Sequence, residues 1–320
     1  MSATGGNKAI IAAFLANAGI ALTKFIAWIF SGSSSMLAES VHSVADAGNQ
    51  LLLLLGGKRA KQAADKEHPF GYGRVRFVYA FVVAIILFSI GGIFSIYEGI
   101  KKIREPHPIE VWWLPLLVLV IAIVLESFSL RTAIKESNPL RGDASWVEFI
   151  RRSKAPELPV VLLEDLAALL GLVFAFFGVG LSVLTGNGLF DGIATLFIGV
   201  LLLAVAVIIG LEVKSLLVGE GATDEDVAKI EAAMVHEGQI ERIIHMKTLY
   251  LGPDEFMIGA KVSVAPQATV RELAMYVNRA EERIRAAVPA ARVIYIEPDV
   301  YVDPNEKKPS TESIVFLSED

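Results

Sequence analysis

Three stretches of this sequence, Phe77 to Tyr97, Leu166 to Phe190 and Gly192 to Leu211, contain no Asp, Glu, Lys or Arg. Each is about the ~20 residues that a helix needs to cross the hydrocarbon of a bilayer. A fourth run begins at Val111 and stays apolar to Leu125, and a first runs from Ala9 to Phe30 with one interruption at Lys24. That lysine can snorkel toward a head-group layer. A sixth helix is read from Ser34 to Gly57, where Glu39, His42, Asp46, Asn49 and Gln50 stand on an apolar background ending in Leu51 to Leu55. An even number of spans puts both termini on one side. Composition agrees, since 54 % of the 320 residues are apolar, above the ~45–50 % of soluble domains.

Loop charges orient such a bundle. With the N-terminus inside, the second and fourth loops carry twelve Lys and Arg, among them Lys58, Arg59, Arg74, Arg76, Arg141 and Arg152. The opposite face carries three, Lys101, Lys102 and Arg104. The positive-inside rule therefore places both termini in the cytoplasm, or its equivalent in an organelle, and in the cell membrane for a bacterial chain. The first apolar run is too long for a cleavable signal peptide and lacks a cleavage-like end. A net charge of −6 without a basic stripe argues against a nucleic-acid partner. The absence of cysteine excludes disulfides, thiolate metal sites and cysteine nucleophiles, and the five histidines are His42, His68, His107, His236 and His245.

After Leu217 the pattern becomes that of a soluble domain. Thr223 precedes Asp224, Glu225 and Asp226 as an N-cap with an acidic first turn, and Val227, Ile230 and Met234 recur at helical spacing. Phe256, Ile258, Ala260, Val262 and Val264 alternate as in a strand, and Val270, Leu273, Val277 and Ile284 mark a second amphipathic helix. With strands over Arg242 to Tyr250 and Arg292 to Ile296, the order is α-β-β-α-β. The expected fold is thus an α-helical membrane protein with six transmembrane helices (residues 1–217) plus a small cytoplasmic α+β domain (218–302). A flexible charged tail follows over 303–320.

The polar residues within the spans carry the chemistry. Glu39, His42, Asp46 and Asn49 fall within an arc of roughly 80° on one helix. Glu164 and Asp165 enter the fifth span together, with Pro159 as its opening residue and Ala167, Ala168 and Gly171 allowing close helix approach. An ionised acid near the bilayer centre costs ~2.5–3.5 kcal/mol on insertion scales, so such residues face a cavity, a partner or an ion path. A His and an Asp four residues apart can share one cation, with carboxylates from a facing helix completing the set. The plainer alternative pairs His42 and Asp46 with each other or with Lys24. Asn17, Glu126, Asp191 and Glu212 stand alone or at span ends, where capping or helix-contact roles are expected.

The run Met36-Leu-Ala-Glu-Ser-Val-His42-Ser-Val-Ala-Asp46, followed by His68-Pro-Phe-Gly-Tyr-Gly73-Arg, resembles the signature of the cation diffusion facilitator family. The six spans, Asp191 opening the sixth, Gly219-Glu-Gly-Ala and the C-terminal α-β-β-α-β unit extend that resemblance over nearly the whole chain. Leu163-Glu164-Asp165-Leu-Ala-Ala is similar to the branch that includes the animal mitochondrial zinc transporter. The resemblance implies a homodimeric, proton-coupled exporter of divalent metal, most often Zn²⁺. The metal is substrate and not resident cofactor, in a site between the second and fifth spans. His42, Asp46 and Asp165 match its ligands, whereas Val161 stands where the family has His or Asp, so Glu164 is taken as the fourth. Glu39 and Asn49 would be supporting or pathway residues.

Asp65 and His68 match two positions of a loop metal site seen in some members, but Tyr72 replaces its third histidine. The same stretch reads equally as a tight turn with Gly71 and Gly73 free to take positive φ. His245 is too isolated for metal binding in the soluble domain, whose implied role is packing across a twofold axis. A ligand must lose its proton to bind metal, and an imidazole with an unperturbed pKa of ~6.5 suits such exchange. Mn²⁺, Fe²⁺ or Co²⁺ transport, and a non-transporting interaction protein, stay open beside Zn²⁺ antiport. With no His-Glu-x-x-His motif and few histidines, an enzyme is not expected.

Overall fold

The apolar runs form long helices in the computed structural model, which describes residues 3–299, with side chains described from Asn17 onward except at 87, 88, 90 and 237. They are α1 (Ala3–Ser31), α2 (Ser34–Ala60), α3 (Val75–Val82), α4 (Ser89–Arg104), α5 (Trp113–Arg141), α7 (Glu157–Thr185) and α8 (Leu189–Val218). A π-helical segment, Val83–Phe88, joins α3 to α4, so that Val75–Arg104 is one helical span. This span, α5, α7 and α8 are long and apolar enough to cross a membrane, and the apolar helical stretch Asn17–Ser31 is shorter. The polar stripe sets α2 apart, although its 27 residues would extend about 40 Å at 1.5 Å per residue. A short helix that sequence reading did not anticipate, α6 (Trp146–Arg152), is capped by Ser145, whose Oγ accepts from the Glu148 N–H at 3.1 Å.

Small residues let α4 and α8 meet at backbone distance. A Cβ on Gly99 would stand 2.7 Å from the Leu196 nitrogen, and one on Gly199 would stand 2.7 Å from the Ile96 nitrogen. Asp191 fastens the start of α2 to α8. Its carboxylate, fully buried, accepts from Ser33 Oγ at 2.8 Å, from the Ser34 N–H at 2.7 Å and from the Ser35 N–H at 3.2 Å. This satisfies N–H groups that a helix start leaves without intrahelical partners, and places the negative charge at the positive end of the helix dipole. The capping role expected of Asp191 is what the structure shows. Val160, Ala167, Leu172, Ala175 and Val179 of α7 lie in the bundle core with Ile198, Leu202 and Val213 of α8.

The chain divides into two compact units. One runs to Glu220 and includes Leu251–Asp254; the other takes Gly221–Tyr250 and continues from Glu255. In the second, the order is α9 (Asp224–Val235), β1 (Ile240–Gly252), β2 (Glu255–Val264), α10 (Val270–Ala287) and β3 (Ala291–Asp299). Thr223 caps α9 through Asp226, and Thr269 with Glu272 forms a capping box on α10. The sheet order is β1-β2-β3, with β2 and β3 parallel. Phe256, Ile258 and Val262 of β2 are fully buried with Ile230, Met234, Ala280 and Ile284 of the two helices. β1 and β3 run one to three residues beyond their sequence-derived limits at each end, while β2 starts one residue early and ends at Val264 as expected. The tail expected over 303–320 lies outside the described residues.

Candidate metal centre

Around α2, the stripe read from sequence faces other helices. Glu39 is fully buried, and His42 and Asn49 are each 2 % exposed. His42 Nδ1 and Asp46 Oδ1 stand 3.4 Å apart, as one helical turn between them allows. From α7, Glu164 reaches this stripe: Asn49 Nδ2 donates to its Oε2, and its carboxyl lies close enough to that of Asp46 for the two to interact. The structure thus brings His42, Asp46, Asn49 and Glu164 together. Pro159, expected to open the helix, lies in its first turn, where the N–H it lacks has no intrahelical partner to lose.

Asp165 faces elsewhere. Its Oδ2 accepts from Ser129 Oγ of α5 at 2.9 Å, and Glu126, one turn before Ser129, is close enough for the Asp165 charge to act on it and for its own charge to act on Asp46 and Glu164. Sequence reading set Glu126 aside as a span-end residue, whereas the structure puts it beside the acidic cluster. Among the described residues, no three His, Asp or Glu side chains stand together at metal-holding spacing. The donor set itself, one imidazole and carboxylates with no thiolate, suits Zn²⁺ and the neighbouring divalent metals.

Lys24 corrects a second expectation. It does not snorkel: it is 3 % exposed, and its Nζ donates to Glu39 Oε2 at 3.0 Å and to Ser43 Oγ at 2.8 Å. Two buried acceptors on α2 outcompete a distant head-group layer. Sequence showed the lone cation and the nearby acid, but not that α1 and α2 pack with these residues at one level. Gly171 also has a reason beyond close helix packing, since a Cβ there would stand 2.6 Å from Glu39 Oε1.

The loop residues form a turn. Asp65 Oδ1 accepts from the Glu67 and His68 N–H groups at 2.9 and 2.7 Å, and Oδ2 accepts from Tyr72 Oη at 2.6 Å. The Tyr72 hydroxyl, followed by the His68 N–H, holds the Asp65 carboxyl below its ordinary range. His68 Nδ1 lies 3.6 Å from Asp65, and its ring stacks 4.3 Å from that of Tyr72. Gly71 takes a φ of +80°, which Gly73 does not share.

A bundle of apolar helices with acids and an imidazole buried between two of them is the architecture of a membrane protein, and residues 10–218 match the cation efflux transmembrane domain. The chain belongs to the cation efflux, or cation diffusion facilitator, family, whose members are transporters and not enzymes. It is 30 % identical over 269 residues to the human protein named proton-coupled zinc antiporter SLC30A9, mitochondrial, covering 83 % of this chain and 47 % of that protein. The relative of that name from Xenopus laevis is 32 % identical over 270 residues, covering 83 % and 48 %. Cation-efflux pump FieF of Pectobacterium atrosepticum is 26 % identical over 289 residues, covering 89 % of this chain and 90 % of that one. The chain spans about half the length of the zinc-antiporter relatives.

Proposed function

We propose that this protein is a proton-coupled antiporter of divalent cations, with Zn²⁺ as its substrate. The cation would pass through a site between α2 and α7 whose ligands are His42, Asp46, Glu164 and Asp165. The observation that carries this reading is the approach of Glu164 of α7, held by Asn49, to the Asp46 carboxyl beside His42 on α2. Two carboxyls drawn together in a buried site need a proton or a cation to offset their like charges, and a divalent cation would take that role by displacing the proton. Competition for one position is the elementary requirement of metal–proton exchange. Assembling the set requires His42, Asp46 and Glu164 to draw closer together and Asp165 to leave the Ser129 hydroxyl and turn toward α2.

The names of the zinc-antiporter relatives support Zn²⁺. The excess of positive charge on the second and fourth loops supports cytoplasmic termini and export from the cytoplasm. We place the transmembrane domain at 1–217 and a dimerising cytoplasmic domain at 218–302, since a twofold assembly needs one self-complementary surface. The test is metal flux into proteoliposomes under an imposed pH gradient, comparing Zn²⁺ with Mn²⁺ and the parent with Asp46→Ala, Glu164→Ala and Asp165→Ala. Gradient-dependent zinc flux that all three substitutions abolish is the expected result. Loss with Asp46→Ala and Asp165→Ala alone would leave a three-ligand site, and no divalent flux from folded parent would overturn the transporter reading.

A further inference from the structure

The ligand set above leaves Lys24 and Glu39 unused, yet both are buried in the bundle, at 3 % and 0 % exposure. Fold stability alone gives little reason for them, because replacing a buried ion pair by well-packed apolar residues is often neutral or stabilising. The ammonium holds one oxygen of Glu39, Oε2, and is itself steadied by Ser43. The other oxygen, Oε1, is buried without a hydrogen-bond partner and lies against α7 at Gly171. Glu39 is one turn from His42 on the same face of α2, and Ser43 adjoins His42 in sequence. The charge of Lys24 also acts on His42, Asp46 and Glu126. A half-engaged carboxylate therefore stands beside the cation site, with a covalently tethered cation on its other oxygen.

We infer that Lys24 is a positioning residue for cation transfer. Its ammonium competes with the divalent substrate for Glu39 and keeps that carboxylate out of the substrate's coordination sphere, so that the metal leaves His42 and Asp46 quickly. The tether gives the ammonium a high effective concentration at Glu39, which an ion arriving from solution must overcome. With Lys24 neutralised, Glu39 becomes an extra ligand that tightens binding and slows release. This inference rests on the α2–α7 site proposed above.

The experiment measures initial Zn²⁺ flux against Zn²⁺ concentration for the full chain in proteoliposomes, per folded molecule, with melting temperatures alongside. K24M is expected to lower KM and maximal rate together, each by about fivefold. K24R moves both back toward the parent, and K24M/E39Q raises KM above that of K24M because the freed carboxylate is gone. Should K24M not fold, Ser43→Ala, which loosens the ammonium while leaving the ion pair, replaces it and lowers both by about twofold. A merely structural pair would lower the melting temperature and leave KM per folded molecule unmoved, which overturns the role of Lys24. If Asp46→Ala abolishes flux while KM in K24M or Ser43→Ala is unchanged or raised, the positioning role falls and the site stands. Undiminished flux in Asp46→Ala would overturn the site itself.

Discussion

Glu164 and Asp165 are adjacent in sequence, but successive side chains on a helix diverge by about 100°, so one meets Asn49 and Asp46 of α2 while the other meets Ser129 of α5. That divergence puts Glu164, and not the family-matched Asp165, against the α2 stripe. Glu164→Gln is expected to lower zinc flux on the order of a hundredfold, the upper range for weakening a metal's ligand environment, as measured by initial rates in proteoliposomes. Ser129→Ala, which frees Asp165 from its hydroxyl partner, should change flux far less. In the loop, both oxygens of Asp65 are already committed to donors of its own turn. Its carboxyl is held below the ordinary range in the folded loop, so it steadies the turn above the pKa of the unstructured chain and loses that effect as pH falls through the folded value. Tyr72→Phe should raise the Asp65 pKa, which carboxylate-selective NMR titration would follow. An unmoved titration would remove Tyr72 as the main cause.

At the scale of elements, the bundle depends on what one helix offers another. The start of α2 is capped from α8 by Asp191 as well as by its own Ser33, which accepts from the Met36 N–H. Asp191→Ala leaves buried donors of Ser33, Ser34 and Ser35 without that acceptor and is expected to cost about 1–3 kcal/mol, seen as a lower melting temperature in detergent. Because α2 also carries His42 and Asp46, flux should fall with it as the helix loses its anchor. The α4–α8 contact is set by missing side chains, with Gly99 and Gly199 leaving no room for a Cβ. Gly199→Val should cost about 1–3 kcal/mol by overpacking, whereas Gly180→Ala, where an added Cβ meets nothing within 4 Å, should not. Equal melting temperatures for the two variants would contradict this account of the interface.

At the scale of the whole molecule, exchange of protons for metal predicts a direction as well as a rate. A ligand set that must deprotonate to bind metal loses apparent affinity as pH falls, by about tenfold per pH unit for each proton displaced. Zinc uptake should therefore reverse when the imposed pH gradient is reversed, as read by a trapped zinc indicator. Length and hydropathy alone determined much of the architecture. Uncharged runs near bilayer length can bury themselves only as spans, and the alternation from Phe256 to Val264 can bury one face only as a strand. The stripe from Glu39 to Asn49 was legible because a helix places those residues on one side whatever surrounds it. Sequence could not show which neighbour each polar side chain meets, because that depends on the level and rotation at which helices pack. Lys24 thus read as a residue reaching outward until α1 and α2 were seen to place it against Glu39 and Ser43. Glu126 read as a span end until α5 was seen beside α7. Periodicity along one chain records which way a side chain points, and only the packed bundle decides what it points at.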